Sequence, residues 1–272
     1  MTPQTTRPDD PEARPSPARM YDYFLGGSHN FPADRAAAER VIALAPETPL
    51  IAQANRAFLR RAVTALLAQG IDQFLDLGSG IPTVGNVHEV AQEAHPGARV
   101  VYVDIDPVAV THSAALLAGN PHATVIQADA RRPETILGHP EVRRLLDFGR
   151  PLGVLLVGFL YFIPDDAEAT GLVRGLRDAL APGSYIVISH AINELAERMP
   201  AKAIEDGLEV YRHSTHPVAL RGRAQVARFF EGLTLVEPGL VDMPLWRPEG
   251  PDDVFLEAPQ QASFVAGVGC TP

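Results

Sequence analysis

Asp76, Gly78, Gly80 and Asp104 are the residues whose types and spacing could do chemistry together. Leu75 and Leu77 flank Asp76 in an apolar run that stops at Gly78 and Gly80, and a helical pattern resumes near Thr83. That order predicts a buried strand, a glycine turn and a helix. Two glycines remove Cβ atoms from the turn, so a ligand can lie against backbone N–H groups and the positive end of the next helix. Further on, Val100-Val-Tyr-Val-Asp104 ends a second apolar run in a carboxylate, the position that bonds ribose hydroxyls in nucleotide-binding βαβ units. Together they predict an adenosine-bearing small molecule. A dinucleotide fingerprint wants glycine at the sixth position of G-x-G-x-x-G, and counting from Gly78 that position is Thr83, which weakens the pyrophosphate reading.

Such residues need a parallel sheet to position them. Strands are predicted at Gln73 to Leu77, Val100 to Asp104, Ala123 to Gln127, Pro151 to Leu160 and Tyr185 to Ser189, the fourth apolar throughout, as strands covered on both faces are. Leu233 to Val241 and Ala262 to Val268 read as a closing pair. Between them fall helices: Val84 to Ala94, Asp106 to Leu117 with an acidic cap and proline at its start, two short helices in 131–148, Asp165 to Leu180, Glu194 to Met199, Ala201 to Tyr211 and Gly222 to Phe230. Strands alternating with helices give an α/β, doubly wound (Rossmann-like) sheet. Residues 71–272 form this core.

Ahead of it, Met1 to Pro17 carries five prolines among polar residues, too little apolar surface to offset the entropy of ordering, and reads as a disordered tail. Residues 18–70 read as an N-terminal helical cap: a short aromatic helix at Met20 to Leu25 broken by Gly26-Gly27, then helices from Asp34 to Leu44 and from Pro49 to Gly70. Tyr21, Tyr23, Gly26, Gly27 and Asn30 combine aromatic, polar and turn residues in the manner of a lid, although aromatic stripes are more often core. Asn55 and Arg56 face away from the Phe58 stripe and could reach a pocket beneath it.

The chain has 272 residues, 46% of them hydrophobic, and a formal net charge of −10. With basic residues in scattered pairs, as at Arg131-Arg132, Arg143-Arg144 and Arg221/Arg223, no concentrated positive face is expected, so nucleic acid is a poor partner. The longest apolar run, Leu152 to Ile163, is too short for a bilayer and the N-terminus lacks a signal peptide's apolar stretch, which points away from a membrane and to the cytoplasm. Cys270 is the sole cysteine and reads as packed or frayed rather than catalytic. His213 and His216 are the one close histidine pair, without a motif, so no metal site is expected.

An acidic residue two before the first glycine, here Asp76, resembles the first motif of class I S-adenosylmethionine-dependent methyltransferases, although Pro82 stands where that motif usually has a third glycine. From about Arg14 to Gly269 the chain resembles a bacterial family of such enzymes known as domain-of-unknown-function family 574. The resemblance rests on Ala18-Arg-Met-Tyr-Asp-Tyr-Phe-Leu-Gly-Gly27 with Asn30-Phe31, Ala54-Asn-Arg-Ala-Phe-Leu-Arg-Arg61, Gly78-Ser-Gly-Ile-Pro-Thr with Asn86-Val-His-Glu89, Val101-Tyr-Val-Asp104 with Asp106-Pro107, and Val236-Glu-Pro-Gly-Leu240 with Pro244-Leu-Trp-Arg247. One departure is Tyr161, where the family is expected to carry histidine.

The resemblance implies a seven-stranded sheet of order 3-2-1-4-5-7-6 with the last strand antiparallel, and S-adenosylmethionine as cofactor. It implies that Asp76, Gly78, Ser79 and Gly80 meet the methionine tail, Asp104 the ribose, and Asp129 with Ala130 the adenine, with Ile105 also among the cofactor-binding residues, while Phe159 lines the floor under the methyl group. His190 and Tyr161, at the carboxyl ends of neighbouring strands, are the acid–base candidates; His88 reads as structural. The expected function is methyl transfer to a small, fairly hydrophobic acceptor. The alternatives are a module that senses S-adenosylmethionine without turnover and, less favoured, an NAD-dependent oxidoreductase.

Overall fold

In the computed structural model, which describes residues 14–83, 85–194, 200–250 and 253–272, the apolar runs form the strands of one open sheet. Strands β1 (Gln73–Leu77), β2 (Arg99–Asp104), β3 (Ala123–Gln127), β4 (Gly153–Val157) and β5 (Tyr185–Ala191) pair in parallel. The sheet order is β3-β2-β1-β4-β5-β8-β6, with β6 (Thr234–Leu235) and β7 (Val241–Asp242) both antiparallel to β8 (Phe264–Cys270), itself antiparallel to β5. This is the expected order with the sixth strand in two pieces. The single strand foreseen from Leu233 to Val241 is interrupted at Glu237-Pro238, because proline has no N–H to give the ladder. The order reverses between β1 and β4, and open α/β sheets bind ligands outside the strand ends at that point.

The helices are α1 (Pro17–Phe24), α2 (Pro32–Leu44), α3 (Thr48–Ala68), α4 (Val87–Ala94), α5 (Pro107–Leu116), α6 (Pro133–Leu137), α7 (Pro140–Leu145), α8 (Asp166–Ala179), α9 (Ala201–Arg212) and α10 (Arg223–Ala227). Proline fits their first turns because that N–H has no intrahelical partner, and Asp106 and Asp165 cap α5 and α8 by accepting from Val108 N and Glu168 N.

Alternation along the strands separates two apolar layers. Leu75, Leu77, Val101, Leu156 and Ile188 face Leu172 and Leu176 of α8. Phe74, Val100, Leu155 and Val187 face Phe58, Ala62 and Leu66 of α3, with Trp246 closing the layer edge-on to Phe58. Helix α3 therefore packs on the sheet itself. A third cluster joins Met20 and Phe24 of α1, Ala38 and Val41 of α2, Ala52 of α3 and Val210 of α9, so that a helix far downstream in the sequence helps roof the strand ends.

Two expectations change, at the N-terminal tail and at the helix after the glycine turn. The foreseen tail ends early: Ser16 is 2% exposed and Pro17 starts α1, because Ser16 donates to Asp106 through Oγ and to Asp34 through its backbone N–H; residues 1–13 lie outside the described residues. The helix foreseen from Val84 starts at Val87, Val84 itself being outside the described residues, as are residues 195–199 of the helix foreseen at Glu194 to Met199.

Candidate active site

The glycine turn is held against β2. Gly78 N and Ser79 N donate to Val103 O at 2.8 and 3.2 Å, and Gly80 N donates to Asp104 Oδ2 at 2.7 Å. Gly78 and Gly80 have φ of 72° and 67°, the left-handed region that glycine enters without strain. They differ in surroundings: a Cβ on Gly78 would overlap the Phe159 ring, whereas one on Gly80 would meet nothing within 4 Å.

Two carboxylates flank this turn, each 6% exposed. Burial raises Asp76 to about 7, with Arg56 opposing and Asp104 adding to the rise. Burial raises Asp104 to about 6, against the pull of N–H donors from Asp106 and Gly80; Asp104 Oδ1 accepts from Asp106 N at 2.8 Å. The Asp76 carboxylate makes no hydrogen bond among the described residues. Arg56 Nε and Ser79 Oγ are likewise buried without a partner there, although Arg56 Nη2 reaches Gly85 O at 3.2 Å. Three unsatisfied polar groups around one open turn describe a place built for a ligand with its own charges.

They open into a cavity of about 430 Å³, within the ~300–1,000 Å³ of small-ligand sites. The structure brings Asp76, Gly78, Ser79 and Gly80 to one wall of it, with Asp104 and Ile105 beside them, Asp129 and Ala130 at one end, and Phe159 and Tyr161 below; Tyr21, Asn55 and Arg56 complete it. Asp129 is held by a two-pronged contact from Arg131, with Nε and Nη2 at 2.9 and 2.6 Å, which lowers its pKa.

Four foreseen lid residues stay out of the cavity. Tyr23 donates to Glu39 at 3.0 Å. Gly26 ends α1, Gly27 lies so close to Asp22 that a Cβ would overlap the carboxylate, and Asn30 Nδ2 donates to Asp22 Oδ2 at 2.7 Å. The double glycine thus serves a turn built around Asp22. Nor is the Asn55–Arg56 pair exposed: Asn55 is 3% exposed, accepting from Ser189 Oγ at 2.6 Å and donating to Tyr21 OH at 3.2 Å.

The acid–base expectation for His190 fails on position. Strand β5 runs on through Ala191, so His190 points to the face opposite Ser189 and is 0% exposed, away from the cavity lining. Its Nδ1 donates to Ala191 O at 2.6 Å and its Nε2 accepts from Arg221 Nη1 at 3.1 Å. Burial, with Arg221 adding, lowers its pKa to about 4. Tyr161 does line the cavity, but burial raises its phenol well above 10, so near neutrality it is a donor and not a base.

Several lining residues were not foreseen. Arg19 forms ion pairs with Asp34 and Asp106 at 2.7 and 2.9 Å, fixing α1 over the loop after β2. Tyr211, Thr215 and His216 come from beyond α9, where Thr215 N donates to Pro15 O at 2.9 Å. Arg19 stands inside the motif Ala18–Gly27 and Asp106 was read as a helix cap, so the types were visible without the pairing; nothing local marks His216. His213 does not join it, bonding Glu209 at 2.8 Å instead. Among the described residues no three His, Cys, Asp or Glu side chains form a metal-holding group, and no helix is long and apolar enough to cross a membrane.

A doubly wound sheet that ends in a glycine turn, with a carboxylate after the neighbouring strand, defines the Rossmann-like class of nucleoside-binding enzymes. Within it, the S-adenosyl methyltransferase family matches residues 4–272, and the chain belongs to that family. It is similar to a candidate methyltransferase of Thermobifida fusca, with 44% identity over 95% of both chains and a TM-score of 0.87. It is also similar to a DUF574 family protein of Streptomyces avermitilis, with 37% identity over 96% of this chain and 99% of that one and a TM-score of 0.89. No curated protein matches it. The cofactor is S-adenosylmethionine, and the sheet order is that of this methyltransferase fold.

Proposed function

We propose that the protein transfers the methyl group of S-adenosylmethionine to a small, fairly hydrophobic acceptor bound in the same cavity. The observation that carries this reading is one continuous cavity with charged groups around a glycine turn at one side and aromatic rings at the other. The residues present fit the cofactor. Gly80 leaves open space where a Cβ would stand, and Asp76 and Arg56 offer opposite charges for an amino acid tail that is itself a zwitterion. Ser79 Oγ, unpartnered among the described residues, adds a hydrogen bond beside them. Asp104 would hold the ribose, Ile105 and Ala130 would sandwich the adenine, and Asp129 would meet its edge.

When bound, S-adenosylmethionine supplies a methyl group on a positively charged sulfur. The chain's own work is then to align the acceptor with that group and to keep water out. Phe159 and Val157 form an apolar floor, and α1, tied down through Arg19 to Asp106, closes the opposite side. With Tyr161 neutral and His190 shut in the core, neither of these two side chains takes a proton from the acceptor.

Calorimetry with S-adenosylhomocysteine tests the reading. Asp104→Ala should weaken binding at least tenfold, about 1.4 kcal/mol. Unchanged affinity, or tight binding of NAD alone, would sink it.

A further inference from the structure

The end of the cavity away from the charged turn is assembled from Tyr21, Asn55, Gly158, Tyr161, Phe162 and Tyr211. Tyr161 and Phe162 ring centroids lie 4.5 Å apart with planes tilted by 55°, and Phe162 and Tyr211 centroids 6.4 Å apart with planes tilted by 53°, which makes a slot lined by aromatic rings packed on one another. The polar groups in it are unequal. Tyr21 spends its proton on Ala52 O at 3.0 Å and receives one from Asn55, whose own oxygen is taken by Ser189. Tyr161 and Tyr211 hydroxyls have no hydrogen-bond partner among the described residues, although Tyr161 is only 9% exposed. A Cβ on Gly158 would lie 3.2 Å from Tyr161 OH and 3.1 Å from Asn55 Nδ2, so glycine here lets both groups pack close against the backbone. Both hydroxyls stay accessible from the cavity, where a ligand oxygen can accept from them in place of water.

We propose that this slot recognises an uncharged, flat, ring-bearing methyl acceptor through an oxygen that accepts hydrogen bonds from the Tyr161 and Tyr211 hydroxyls. The inference rests on the methyltransferase reading above and adds to it the class of acceptor and two specificity-determining residues. Charge speaks for neutrality. Burial holds both phenols protonated, so neither can pair with a cation as a phenolate. Arg56 is felt electrostatically at Tyr21 and at Asp76. A cationic acceptor would meet no carboxylate among these six residues, and an anionic one would lose its water for two neutral donors.

The test is calorimetry on the full chain with 1-indanone, which has a ring and a carbonyl, indane, which has the ring alone, and benzoate, which has a charge. Each is titrated with and without saturating S-adenosylhomocysteine. The expected result is that 1-indanone binds at least tenfold more tightly than indane or benzoate, and that Tyr161→Phe with Tyr211→Phe makes 1-indanone and indane equal while indane and S-adenosylhomocysteine affinities stay as they were. Tyr211→Phe alone, at a half-buried residue, should weaken 1-indanone binding about threefold to fivefold. Equal binding of 1-indanone and indane by the parent protein, a preference for benzoate, no binding of 1-indanone at its solubility limit, or a preference that survives the double substitution would each overturn the proposal. Failure of S-adenosylhomocysteine to bind would instead strike the methyltransferase reading, leaving the titrations without it to decide the slot.

Discussion

Replacing Asp76 with asparagine should make the free protein more stable and the bound one weaker, with a pH dependence that gives the cause away. The Asp76 carboxyl titrates at about 7 in the fold against an ordinary 3.8, because burial penalises its charge more than Arg56 relieves it. Its proton is held more tightly in the folded state than in the unfolded one. The folded state is therefore favoured fully below about pH 4, and that advantage drains away as pH rises towards 7, to a total of ~4 kcal/mol. With Asp76 only 6% exposed, water does little to screen the effect. Asparagine carries no charge to penalise, so the gap in unfolding free energy between Asp76→Asn and its parent should widen by about 2–3 kcal/mol between pH 5 and pH 8. Urea titrations followed by the fluorescence of Trp246, the sole tryptophan and fully buried, would measure this gap. Binding should run the other way: if Asp76 as carboxylate meets the cofactor's ammonium, parent affinity for S-adenosylhomocysteine rises over the same range and the variant's stays flat. Parallel stability curves at the two pH values would refute the assignment of a buried, uncompensated carboxyl to this position.

The glycine turn allows a paired comparison. Gly80→Ala meets only left-handed backbone strain, about 1 kcal/mol, and should lower stability slightly while abolishing tight S-adenosylhomocysteine binding, whereas Gly78→Ala adds overlap with Phe159 and should unfold at a clearly lower temperature; the opposite ranking in thermal melts would contradict the packing described. Arg19→Met leaves the Asp34 and Asp106 carboxylates buried without their shared cation and should cost about 3–5 kcal/mol in urea unfolding. A loss under 1 kcal/mol would mean that the network is surface-like.

What the sequence settled by itself was whatever depends on short stretches. Strands β1 and β3 begin and end where the apolar runs place them, and the two short helices expected within 131–148 are α6 and α7, because those signals act over a few neighbours. The glycine turn between two carboxylates was legible for the same reason, since its parts lie on adjacent strands joined by one crossover. Tertiary structure decided the rest. Whether His190 looks into the cavity or the core depends on where β5 stops, and pairing with β8 carries it on to Ala191. Whether Asn30 and the double glycine form a lid depends on Asp22, whose carboxylate draws them into a turn of their own. Tyr211, Thr215 and His216 reach the site only because α9 packs on α1 and α2, and no local pattern records a contact across that much chain. Residue type and spacing tell which groups could do chemistry, and burial, which only packing fixes, tells which of them stay charged and which meet the ligand.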